Sequence, residues 1–267
     1  MENLIRNYYN LKYDYIENNK NEIRIKNKED IYILKKVNQD RIKYLNYSNK
    51  GYYRVINNIY NQIYTTYNNL PYILFKLDNT MNLNEIEILK DNSELIYIKD
   101  LNWLELWIIK TDYTEKMLEK EKNKLIHDTK DYYLGLAEYS ISFLQKNNSI
   151  LKSKKIIECR NRITDKNYYY PDNKIFDCKE REIAEYIKYL IYEQDNNTDQ
   201  IIKFIEEVKK RNYNMMLIYA RMIFPTYYFD LIEKKDEDIS KDIYNLINKK
   251  EKFEYITNYF ANKYIKK

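Results

Sequence analysis

The hydrophobic pattern changes period near residue 100: short alternating runs come before it, and helical spacing follows. Residues 22–26 and 31–37 alternate, and the polar tetrad Asn27-Lys28-Glu29-Asp30 between them predicts a tight turn joining antiparallel strands. Residues 52–56, 62–67 and 72–77 read as further strands, with Asn57-Asn58 and Asn68-Asn69 as turn signals. Pro71 fixes the entry to the last strand, because the residue before a proline is pushed away from helical angles. These runs predict a small sheet.

Beyond residue 100, Trp103, Leu104, Trp107 and Ile108 form one apolar stripe on a helix running toward Lys124. A second helix over 130–145 presents Tyr133, Leu136, Ala137, Ile141 and Leu144 on one face. Gly135 lies inside it at a cost of about 0.5 to 1 kcal/mol relative to alanine, which predicts a close helix crossing there. Residues 149–174 break the period, with apolar runs at 155–157 and 174–176 around a polar loop. Helices resume over 179–193, 198–210, 213–233 and 239–264. Pro225 interrupts the third of these, so a kink or break is expected near Phe224.

Composition excludes much chemistry. The 267 residues include two glycines, Gly51 and Gly135, and one histidine, His127. Two isolated glycines cannot build a phosphate loop, and a Ser/His/Asp or Cys/His site would rest on His127 alone. His127 reads as a solvated or capping residue. The 46 Lys and Arg nearly balance 41 Asp and Glu, and the signs interleave, so no basic stripe marks a nucleic-acid partner. The 32 tyrosines fit an AT-rich codon bias better than a stacking platform for single strands. Cys159 and Cys178 have no partner at metal-ligand spacing, which predicts free thiols in a reducing compartment. No run reaches the ~20 apolar residues of a membrane span. A soluble, cytoplasmic protein is expected.

Particular strings carry a resemblance. Asn102-Trp103-Leu104-Glu105-Leu106-Trp107 with Lys110, Asp112 and Glu115, then Tyr132-Tyr133-Leu134-Gly135-Leu136-Ala137-Glu138, resemble segments of the spore-coat-associated kinase-like proteins of Firmicutes. So do Phe176-Asp177 with Arg181-Glu182-Ile183-Ala184-Glu185-Tyr186-Ile187, and Ala220-Arg221 with Phe224-Pro225 and Tyr228-Phe229. The wider group is that of aminoglycoside phosphotransferases and choline kinases. The resemblance implies an α+β, protein-kinase-like two-lobed fold: a small antiparallel sheet lobe over 1–78 and a mainly helical lobe over 79–267.

It also implies a test of chemistry. Active members use a strand Lys on the phosphates, a His-Gly-Asp loop with an Asn five residues later, and a metal-binding Asp on the next strand. Here the loop position is Cys159-Arg160-Asn161-Arg162, with Arg160 in place of the His and Arg162 in place of the catalytic Asp. A guanidinium cannot accept a proton from an alcohol at neutral pH. The vestigial cofactor site would be Asn167 with Lys35 or Lys36, between which alternation does not choose; Lys35 is carried as the candidate. Asp177 takes the metal position, or serves instead as a structural acceptor or cap for the helix beginning at Lys179. The glutamate that usually pairs the lysine is missing, since none occurs between Glu29 and Glu85.

Arg160 and Arg162 would bind an anion or pair with Asp165 or Asp172; Arg181 and Glu185 would form a helical ion pair; Arg221 would pair with a buried acid or carbonyl. The expected function is a catalytically degenerate kinase-like protein with a structural or interaction role, associated with the spore coat. It would need no cofactor and would bind a protein partner, with neither nucleic acid nor membrane span. The alternative is an ATP- and Mg²⁺-dependent hydroxyl kinase with Asp165 or Asp177 as its base.

Overall fold

The computed structural model describes residues 2–19, 22–38, 42, 53–77, 85–89, 96–164, 167–168, 170, 173–194, 197–234 and 239–266. Gly51, Asp165 and Asp172 lie outside them, as does Tyr52 at the head of an expected strand. The chain divides into two compact units, residues 1–84 with 165–175, and residues 85–164 with 176–267.

The first unit is built on an antiparallel sheet. Its strands are β1 (Tyr15–Asn19), β2 (Glu22–Asn27), β3 (Asp30–Lys36), β4 (Tyr53–Ile56), β5 (Thr65–Tyr67) and β6 (Leu70–Leu77). The order is β1-β2-β3-β6-β4, with β5 also on β6. Two of the three turn signals act through left-handed backbone. Lys28 has φ 55° in the β2–β3 turn, and Asn68 and Asn69 have φ 49° and 62° between β5 and β6. Two successive left-handed residues give the two-residue turn whose twist matches the strands it joins. β5 is shorter than the expected 62–67 run because Asn58 gathers the preceding loop. Its buried amide donates to Gln62 Oε1, Tyr64 O and Thr65 Oγ1 at 3.3, 3.2 and 3.1 Å.

The pleat separates two cores. Ile33, Val37, Tyr53, Ile73 and Phe75 pack with Tyr170 on one face. Ile23, Ile25, Leu34 and Leu74 pack on the other against Leu4, Ile5 and Tyr9 of helix α1 (Glu2–Tyr9). That helix was not expected from the sequence: its few apolar residues make sense only once the sheet face is present.

The second unit holds α2 (Glu85–Leu89), α3 (Trp103–Leu118) and α4 (Lys124–Lys146). A small sheet has β7 (Tyr97–Lys99), β8 (Lys154–Arg160) and β9 (Lys174–Asp177), the last with residues 176–177 in this unit, in the order β7-β8-β9. Then come α5 (Lys179–Tyr192), α6 (Thr198–Lys210), α7 (Met215–Ile223), α8 (Thr226–Ile232), α9 (Ser240–Asn248) and α10 (Lys250–Tyr264). The break between α7 and α8 falls at Phe224-Pro225, where the proline lacks a donor. The expected 239–264 helix is likewise two helices that meet at Lys249.

Trp103 stacks on Trp107, and Trp107 on Phe224 with ring centroids 4.3 Å apart, so both tryptophans are core anchors. Ile108 does not join that stripe and is 37% exposed. Gly135 is exposed, and a Cβ there would meet nothing within 4 Å. The expected close crossing at Gly135 is therefore absent, and the glycine has no packing reason.

Candidate functional site

A buried ionic cluster sits where β8 and β9 deliver residues against α5. Every residue of α5 from Arg181 to Tyr192 is buried, although the stretch includes Glu182, Glu185 and Lys188. Charges at such depth require partners, because stripping water from an unpaired ion costs several kcal/mol.

Arg160, the last residue of β8, donates through Nη1 to Glu182 Oε1 at 2.7 Å, and Lys179 Nζ reaches the other oxygen at 2.6 Å. Arg162 donates through Nε to Asp230 Oδ2 at 2.8 Å and lies 3.4 Å from Glu185 Oε1. Glu182, Glu185 and Asp230 are thus partners of the two arginines; the anticipated Asp165 and Asp172 fall outside the described residues. Lys110 of α3 closes on Asp230 from the other side, 2.6 Å from Oδ1.

Glu185 lies among cations. Arg221 donates Nε to its Oε1 at 3.1 Å, as expected of a buried arginine seeking an acid. Burial pushes the Glu185 carboxyl up, but Arg162 and Arg221 outweigh it and bring it down to about 2. Asp230 behaves alike: burial raises it, and Arg162 and Lys110 lower it to about 2. Burial and neighbouring cations act together on Arg221, which falls to about 9 and stays charged at neutral pH. Lys188 is lowered to about 7, by burial above all, while its ammonium donates to Phe224 O and Thr226 Oγ1 at 2.7 and 3.0 Å.

Both oxygens of Asp177 are engaged. Trp103 Nε1 lies 3.3 and 3.2 Å from Oδ1 and Oδ2, Cys178 N donates to Oδ1 at 2.8 Å, and Arg181 Nη1 to Oδ2 at 3.0 Å. Asp177 does not cap α5; the N-cap residue is Cys178, without a side-chain cap. The anticipated Arg181–Glu185 pair does not form either, since Arg181 turns to Asp177 and to Asn161 Oδ1. Cys159 and Cys178 are free and buried, and burial raises both thiols well above their ordinary range.

The first unit holds the other candidates. Lys35 and Lys36 point to opposite faces of β3, and Lys35 shares the face of Ile33 and Tyr170. Its ammonium stands 3.8 Å from the centre of the Tyr170 ring. Glu22 lies directly across from Lys35 on β2, and the Tyr170 hydroxyl donates to the Glu22 carboxylate. Asn167 accepts through its backbone oxygen from Tyr170 N and Asn173 Nδ2, both at 3.0 Å. Residue type had not singled out Tyr170, Glu22, Glu182 or Asp230. His127 is exposed at the start of α4, whose N-cap is Asn123.

The family model described as "Spore coat putative kinase YutH" matches residues 2–260. The chain belongs to this family.

Solved structures show the same fold at low identity. An aminoglycoside phosphotransferase from Alicyclobacillus acidocaldarius is 11% identical with a TM-score of 0.60, over 94% of this chain and 93% of that one. A thermostable mutant of aminoglycoside phosphotransferase APH(4)-Ia is 9% identical with a TM-score of 0.60, over 98% and 99% of the two chains. The AMP-bound spectinomycin phosphotransferase APH(9)-Ia is 13% identical with a TM-score of 0.58, over 98% and 97%. No curated protein matches this chain. The spore coat kinase-like chain therefore has the α+β fold of that group, an antiparallel sheet region followed by a helical one. Among the described residues, no helix is long and apolar enough to cross a membrane.

Proposed function

We propose that this member of the spore coat kinase-like family has lost phosphotransfer and serves as a structural or interaction protein of the spore coat. One observation carries the reading: Arg162, which the family resemblance puts in place of the catalytic Asp, is ion-paired to Asp230 and Glu185. A base in phosphotransfer must take a proton from the acceptor hydroxyl as the phosphoryl group leaves ATP. A guanidinium held between two carboxylates is raised further above its ordinary value, burial notwithstanding, and cannot do so.

The metal position supports the same reading. Asp177 already accepts from an indole, a backbone amide and Arg181. A divalent cation would have to displace the guanidinium and leave it in the core with only the neutral Asn161 as partner, so these residues do not fit bound Mg²⁺. Among the described residues, no cluster of three or more His, Cys, Asp or Glu could hold a metal. Lys35, the vestigial phosphate lysine, is covered by the Tyr170 ring. The partner on this reading is a protein rather than nucleic acid, because the surface charge interleaves in sign.

The second reading is an atypical hydroxyl kinase using ATP and Mg²⁺. It is favoured by the fold, which this chain shares with phosphotransferases, and by Asp230, a carboxylate beside the degenerate loop. Asp230 is held by two cations, however, which makes it a weak base. Thermal unfolding with and without ATP and Mg²⁺ tests the proposal. We expect no shift, whereas a binder at 100 Kd would gain about 2.7 kcal/mol of apparent stability.

A further inference from the structure

Within the first unit, three groups of the sheet converge on one ring. Tyr170 belongs to this unit through the 165–175 stretch and is buried, although it lies on none of the unit's strands. Its ring meets Phe75 edge to face with centroids 5.8 Å apart, and Phe75 meets Tyr53 in the same way. The Lys35 ammonium stands over the ring, 3.8 Å from its centre. The hydroxyl donates to the Glu22 carboxylate, which also accepts from Arg24 Nε at 3.1 Å. Glu22 is the cross-strand partner of Lys35, and Phe75 that of Ile33, so Glu22, Lys35 and Phe75 share one face of the sheet.

An aromatic wall, a cation on the ring's face and an acceptor at its polar end are the contacts by which proteins hold a free aromatic ligand. A tyrosine buried for packing alone needs an acceptor for its hydroxyl but no ammonium over its ring. From this arrangement we infer that Tyr170 is an intramolecular occupant of a ligand seat, and that it keeps a nucleoside phosphate off Lys35 by holding the ammonium against its own ring. An ammonium that donates to a phosphate oxygen has to leave the ring's face, so ring and phosphate compete for the same cation. Lys35 is half-buried, so its side of the seat reaches solvent. The ring rather than a charge balance defines the seat, since Asp165, Lys166 and Asp172 fall outside the described residues. The inference rests on Lys35 as the vestigial phosphate lysine and goes beyond the loss of phosphotransfer: the nucleotide seat is closed by Tyr170, not destroyed.

The test is isothermal titration of the full chain with ATP, with and without Mg²⁺. The parent should show no saturable binding. The apparent affinity of a site falls with the fraction of molecules in which it is open, so Tyr170→Ala should bind ATP at least about tenfold more tightly than the parent. Tyr170→Ala combined with Lys35→Met should return to the parent's level, because the cation is gone. Tyr170→Phe keeps the ring under the ammonium and should stay closed. Circular dichroism checks that each variant is folded. Should Tyr170→Ala fail to fold, Tyr170→Leu, which keeps more of the apolar volume, carries the same expectations.

A folded Tyr170→Ala or Tyr170→Leu without saturable ATP binding would overturn the inference. Binding that survives Lys35→Met would do the same, as would binding by Tyr170→Phe equal to that of Tyr170→Ala. These three results leave the loss of phosphotransfer untouched. ATP binding by the parent strikes both the closed seat and that loss.

Discussion

Arg162 Nε lies 2.8 Å from Asp230 Oδ2, and the same guanidinium lies 3.4 Å from Glu185 Oε1. One cation thereby joins the loop after β8 to α5 and α8. Without it Glu185 keeps Arg221 and Asp230 keeps Lys110, so Arg162→Met should lower unfolding free energy by about 1.5 to 3 kcal/mol, the worth of hydrogen bonds to charged groups. Urea denaturation with an unchanged m-value checks this. Arg162→Asp should destabilise more, because a third carboxylate would join Glu185 and Asp230.

Asp177→Ala separates a structural acceptor from a metal ligand. In a site built for a metal, removing a carboxylate often leaves the apo protein as stable or more so. Here it would leave the Trp103 indole without its acceptor and the Arg181 charge in the core with only the neutral Asn161 beside it. The variant should lose about 3 to 5 kcal/mol by chemical denaturation, with or without added Mg²⁺.

The fold was legible where pattern carries it. The 22–26 and 31–37 runs, their turn, the helix break at Pro225 and the helix over 198–210 follow from alternation, proline chemistry and helical spacing, whereas the capping box at Asn197 and Gln200 was not read from the sequence. The α1 helix shows only a short stripe of Leu4, Ile5, Tyr8 and Tyr9, and the split at Lys249 carries no local signal, so neither was read from the sequence. Arg160 and Arg162 stood out as residues, but their partners did not. Glu182, Glu185 and Asp230 look like solvated helix positions in the sequence. Only the three-dimensional path shows that α5 is surrounded on every side.

Stability should depend on pH through this cluster in two windows. Glu185 and Asp230 have folded values near 2, below their unfolded 4.5 and 3.8, so their contribution is present above about pH 4.5 and is lost as pH falls toward 2. Lys188 has a folded value near 7 against 10.5 unfolded, so the unfolded state binds more protons between them, and stability rises with pH across that interval. The difference between parent and Lys188→Met should therefore move in the parent's favour from pH 7 to 9, by up to about 1.4 kcal/mol per unit. A flat difference would count against a deprotonating core lysine.

The most direct measurement is ATP turnover. Purified protein is incubated with Mg²⁺ and γ-labelled ATP, alone and with a panel of aminoglycosides and simple alcohols. Release or transfer of the label is compared with a buffer blank. The account predicts label release at the blank rate throughout, because no group at the Arg162 position can accept the alcohol proton. Transfer above the blank that disappears in Asp177→Ala or Asp230→Ala would contradict it.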